Sequence, residues 1–305
     1  MPNLESVKLS MDDDEKRFPD IRVRHRTELA QAIRALSLPA LTKVDFDFFL
    51  RRQRNERAQP PVLHNTGVPD PLSSAVFELS LNLVNLKVEG VFDESLLRPI
   101  EHLSTTSWPN MKFLDINLCI TTPSGGWYFA KRDDIPFQPL YTHQSQIKTT
   151  HSNLVMNRSF NFRKEAGYAC LDPVHVFRSK ADDAELTPFV DAYADALLMM
   201  PKLKSAALTI QLEDHIEGEP GWFCIAYFAP CKSAHDHPPR LICPRCNRGV
   251  TRQLVTLLLG WEPNEKLADK LQRTGAELCT EPMVEKSMAE FMSYHDVEDD
   301  ANRAI

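Results

Sequence analysis

A nine-residue pattern that occurs five times constrains the fold of this chain more than any other feature. It reads MPNLESVKL at the start, LPALTKVDF from Leu38, SLNLVNLKV from Ser80, WPNMKFLDI from Trp108 and MPKLKSAAL from Met200. Four copies carry proline in the second place (Pro2, Pro39, Pro109, Pro201), and Leu81 stands there in the remaining one. Apolar residues follow at Leu4, Leu41, Leu83, Met111 and Leu203, then at Val7, Val44, Leu86, Leu114 and Ala206, then at Leu9, Phe46, Val88, Ile116 and Leu208. This is L-x-x-L-x-L. Its last step of two is the period of a strand and sends both side chains to one face, while the step of three reads as an entry turn.

The residues ahead of each copy read as helices. Leu29, Ala32, Ile33 and Leu36 form an i, i+3, i+4, i+7 stripe that Thr27 could cap. Asp70-Pro71 opens a second, with Leu72, Ala75, Val76 and Leu79; Asp at the cap and Pro in the first turn is a mechanistic start signal. Asp93 precedes Leu96, Ile100 and Leu103, with Pro99 shortening or kinking that helix. Thr187-Pro188 opens Phe189, Ala192, Tyr193, Ala196, Leu197 and Met200. The unit is helix, short turn, strand. Only the first copy lacks its helix, so the sequence is expected to be the back part of a longer architecture. A capping strand starting at residue 1 is the alternative.

The equivalent positions Leu4, Leu41, Leu83, Met111 and Leu203 lie 37, 42, 28 and 92 residues apart. Regular leucine-rich repeats step by about 20–29 residues. The expected fold is therefore α/β: an irregular leucine-rich-repeat-like solenoid of helix-turn-strand units, with right-handed crossovers and an antiparallel closing strand at Trp222–Phe228. Four repeat units fill 1–120, and an irregular insertion follows at 121–183. The last repeat and closing strand fill 184–230, a Cys/His-rich loop 231–250 and C-terminal helices 251–296. A disordered tail completes the chain at 297–305. Those helices would carry Leu267 and Leu271 in NEKLADKLQR, then Met283, Met288 and Phe291 in MVEKSMAEFMSYH.

Four stretches, WPNMKFLDINLCITTPSGGWYF, DDAELTPFVDAYADALLMMPKLKSAALTI, GWFCIAYFAP and LLLGWEPNEKL, resemble in that order the C-terminal region of the fungal F-box-like protein family. The resemblance covers most of residues 1–272. It implies the substrate-recognition arm of a cullin–RING ubiquitin ligase. The F-box, a helical segment that docks the ligase adaptor, is not found, and nothing before Asp12 supplies it. Either the front of the gene is missing or this copy has lost adaptor binding.

Chemistry-bearing residues cluster once. Cys231, His235, His237, Cys243 and Cys246 fall within PCKSAHDHPPRLICPRC, and its C-x-x-C turn suits tetrahedral zinc. Four of the five would close the shell, so a bound zinc would be structural; an unligated surface loop is the other reading. A redox C-x-x-C lacks its strand–helix context. Trp127, Tyr128 and Phe129 could anchor an interface, but a buried strand is the expectation. Arg51–Arg57, Asp12–Asp14 and Glu298–Asp300 read as solvated charge. Asn157-Arg158-Ser159 fits a glycosylation acceptor without a leader to deliver it.

No nucleophile-elbow, zincin or kinase motif occurs, so the chain reads as non-enzymatic. A net charge of −7 argues against a nucleic-acid partner. No apolar run is long enough for a membrane helix. Seven cysteines without a leader suggest reduced thiols in the cytoplasm or nucleus. The expected activity is protein binding by a recognition region of F-box-type origin. A zinc-stabilised interaction protein unrelated to ligases and an enzyme without a linear motif are the alternatives.

Overall fold

The computed structural model describes residues 3–13, 19–36, 38–50, 59–64, 68–98, 107–131, 178–212, 221–230, 251–276 and 283–287. Five strands built on the recurring pattern lie side by side and parallel: β1 (Ser6–Asp13), β2 (Lys43–Leu50), β3 (Asn85–Gly90), β4 (Phe113–Leu118) and β7 (Ser205–Leu212). The equivalent positions of the pattern are ladder partners. Val7 faces Val44, then Leu86, Leu114 and Ala206; Leu9 faces Phe46, then Val88, Ile116 and Leu208. A short antiparallel pair, β5 (Phe129–Lys131) and β6 (Arg178–Ala181), stands apart from this sheet and falls within the stretch read as an insertion.

Beyond β7 the direction changes. β8 (Gly221–Phe228) pairs antiparallel with β7, as expected, but it does not close the sheet. β9 (Gln253–Leu257) pairs antiparallel on its far side, and β10 (Val284–Ser287) pairs parallel with β9. The physical reason lies in β8 itself. Phe223, Ile225 and Tyr227 on one face and Cys224, Ala226 and Phe228 on the other are all buried, the composition of an interior strand. The stretch expected as C-terminal helices thus holds two strands and α4 (Glu265–Arg273), whose Leu267 and Leu271 are buried as the periodicity implies. Val284–Ser287 is short enough for pairing with β9 to override its weak helical pattern.

The helices cover the face that carries the two apolar rows. α2 (Pro71–Ser80) begins as its sequence dictates: Asp70 caps it by accepting from Ser73 N, and Pro71 occupies the first turn. α1 runs from Pro19 to Arg34 and starts well before Thr27, whose hydroxyl donates back to Val23 O inside the helix. Ala30 and Ile33 point into the core, while Ala32 and Leu36 are exposed. α3 (Asp183–Leu198) starts four residues ahead of Thr187, because Asp182 supplies the cap through Ala184 N; Pro188 lies inside the helix. A 3-10 turn, Glu94–Leu96, follows Asp93; Ile100 and Leu103 lie outside the described residues. No described helix is long and apolar enough to cross a membrane.

One buried ion pair locks this layer. Arg26 Nε and Nη2 donate to the two oxygens of Asp70 at 2.7 Å each, and Nη2 also donates to Val91 O. Asp70 N donates to Asp93 Oδ2 at 3.0 Å, and Asp93 in turn accepts from Ser95 N. Asp70 is fully buried. Burial by itself raises its pKa, but the Arg26 charge and the donors of Arg26 and Ser73 outweigh it and hold the carboxyl below the usual carboxylate range.

Removing one partner of such a pair costs about 3–5 kcal/mol, so Arg26→Met should lower the urea midpoint strongly at pH 7. A lowered folded pKa gives stability that is complete above the unfolded value of about 3.9 and is lost as pH falls from there through the lower folded value. The gap between wild type and Arg26→Met should therefore narrow below about pH 4, measured by urea unfolding at each pH.

Candidate functional site

The strand alternation that buries Val44 and Phe46 turns the residues between them to the other face of the sheet. There the ladder places Lys8 beside Asp45, Asp45 beside Lys87, Lys87 beside Asp115, and Asp115 beside Ala207. Charge alternates from strand to strand across four strands, at a spacing of about 4.8 Å. Lys8 Nζ stands 3.1 Å from Asp45 Oδ2, and Lys87 Nζ 3.5 Å from Asp45 Oδ1. The next row runs Ser10, Asp47, Glu89, Asn117, Thr209. In it, Ser10 Oγ donates to Asp47 Oδ2 at 3.2 Å, and Thr209 Oγ1 to Ile116 O at 3.3 Å.

The same face becomes apolar past β7. Ala207, Cys224, Ala226, Phe228 and Val255 form a second buried cluster, with Leu257 packed against it; no described helical residue belongs to it. The Cys224 thiol sits in this cluster, and burial, helped by the charge of Asp115, pushes it up to about 12. Such a thiol is inert at neutral pH. Trp222, at the end of β8, is 38% exposed beside Gln211.

This face brings together alternating charges fixed by the strand ladder and borders them with a buried apolar cluster. Ion pairs on half-buried strands contribute at most about 1 kcal/mol each to stability, so the row does little to hold the fold. Its chemical capacity is recognition of a complementary charge pattern. Among the described residues, no group of three His, Cys, Asp or Glu side chains is placed to hold a metal.

The expected zinc ligands Cys231, His235, His237, Cys243 and Cys246 lie outside the described residues, as do Arg51–Arg57, Asn157–Ser159, Asp14 and Glu298–Asp300. Trp127, Tyr128 and Phe129 are buried, with Trp127 under the Arg178 guanidinium at 4.3 Å. The Tyr128 hydroxyl donates to Phe92 O, and burial, with nearby Asp93 and Glu94, raises its pKa well above the ordinary phenol value. These three rings are core residues and not an exposed anchor.

Sequence reasoning missed the charged row, although the signal was present. Lys8, Asp45, Lys87, Asp115 and Ala207 occupy the single place between the last two apolar positions of each copy. Comparisons of the chain with protein-family models, with curated proteins and with solved structures give no match.

Proposed function

We propose that this chain is a non-enzymatic protein-binding module: an irregular leucine-rich-repeat-like solenoid derived from the substrate-recognition region of an F-box-type ubiquitin ligase subunit. The observation that carries the reading is the Lys8–Asp45–Lys87–Asp115 row, held in register on the face away from the helices. A parallel sheet fixes the spacing of these charges, so a partner with the opposite alternation meets them without reordering the backbone. Charge complementarity then sets partner choice and encounter rate. In the ligase reading, the bound protein is the one delivered for ubiquitin transfer, and adaptor docking requires an F-box.

The Cys/His loop adds a stabilising role to the same reading. If zinc binds, four of Cys231, His235, His237, Cys243 and Cys246 would close a tetrahedral shell, leaving no position open for catalysis.

Two measurements test this function. Affinity capture from cell extract, followed by quantitative mass spectrometry, should yield a partner that Lys87→Glu loses about tenfold, equivalent to about 1.4 kcal/mol. Arg34→Glu, on the helix side, should retain it. A captured set unaffected by Lys87→Glu would remove the charged row from the function. Elemental analysis of chain purified without added metal should give about one zinc per molecule, and Cys243→Ser with Cys246→Ser should abolish it; a metal-free wild type ends the zinc reading.

A further inference from the structure

β1 ends the eight-stranded sheet: its eight residues pair with β2 along one side, and no strand among the described residues pairs with the other. The ladder fixes which backbone groups are left. Thr42 N and Lys43 N both donate to Glu5 O, so the N–H and C=O groups of Val7, Leu9 and Met11 turn toward β2. Those of Ser6, Lys8, Ser10 and Asp12 turn outward. Long edges of this kind are templates for further pairing.

The side chains point the same way. Val44, Leu86, Leu114 and Ala206 are at most 2% exposed, yet Val7 in the same row is only half-buried. Leu9 is likewise half-buried, and Met11 is 43% exposed. On the opposite face the alternation Lys8, Asp45, Lys87, Asp115 calls for an acid in the position next beyond Lys8.

β1 itself meets both demands. Reversed about Ser10, its sequence puts Asp12 opposite Lys8 and Met11 opposite Leu9, with Ser10 facing its own copy. We propose that two copies of this chain associate through β1, paired antiparallel across a two-fold axis at Ser10. The contact is isologous and closes on itself. The outward N–H and C=O of Ser10 and Lys8 meet those of Ser10 and Asp12 in the second copy, Leu9 and Met11 cover one another, and the place across from Lys8 is taken by an acidic residue. A single edge contact is smaller than a standard protein–protein interface, so the dimer is concentration-dependent.

Sedimentation equilibrium of the full chain, from about 5 to about 300 μM in about 0.15 M salt, tests this. The weight-average mass should rise from the monomer's 34.8 kDa toward twice that value. Ser10→Pro removes an outward N–H without touching the ladder to β2, and should keep the chain monomeric with an unchanged circular dichroism spectrum. Lys8→Glu should do the same by a different route, and Lys8→Glu combined with Asp12→Lys should restore association. A monomer throughout, a mass beyond two copies, association indifferent to Ser10→Pro and Lys8→Glu, or a double variant that stays monomeric would each overturn the proposal.

Discussion

The rest of this structure depends on strand register. Two rows of apolar side chains, Val7 to Ala206 and Leu9 to Leu208, cross five parallel strands without a step. A slip of one residue in β1, β2, β3 or β4 would turn its row members away from the helices and bring Asp or Lys into the core. Register is therefore specified by the cost of burying a charge. The entry turns enforce it: Val84 N and Asn85 N donate to Thr42 O, Lys112 N and Phe113 N to Val84 O, and Lys204 N and Ser205 N to Lys112 O. Each strand starts at the same height because each turn hangs on the one before. At the other end of β3, Gly90 has φ +150°, and a side chain there would meet Phe48 O at 2.9 Å.

The helices are tied to this sheet by a second device. Asp70 combines a helix cap, a bidentate ion pair with Arg26 and a backbone hydrogen bond to Asp93, and so joins α1, α2 and the turn after β3 at one point. A partly buried counterpart links α3 to α4, where Lys270 Nζ stands 2.6 Å from Asp191 Oδ1 and 2.7 Å from Asp195 Oδ1. The two differ in weight. A fully buried carboxylate cannot lose its partner cheaply, whereas pairs that water reaches are partly screened.

Much of the α/β architecture was legible in the sequence, for a physical reason. L-x-x-L-x-L encodes strand, face and register together, so aligning five copies amounted to aligning five ladder partners. Asp70-Pro71 marked a helix start because cap and φ restriction act locally. What was not legible depends on partners distant in sequence. α1 begins among charged residues, PDIRVRHR, whose helical role is settled by packing on α2 and by Asp70, 44 residues away. The strand at Val284–Ser287 exists through β9, and the interior position of β8 shows only when both of its faces are considered. The charged row went unread because attention to an apolar repeat passes over the residue between.

Register, apolar rows and charged row are one claim, and a single measurement reaches it. Lys87→Cys with Asp115→Cys places two thiols at partnered positions on adjacent strands, within the separation a disulfide tolerates. Lys87→Cys with Asn117→Cys places them two residues out of register. After mild oxidation, peptide mapping should find the 87–115 crosslink in high yield and the 87–117 crosslink nearly absent. An 87–117 crosslink of equal or greater yield would contradict the shared register, and the charged face argued from it.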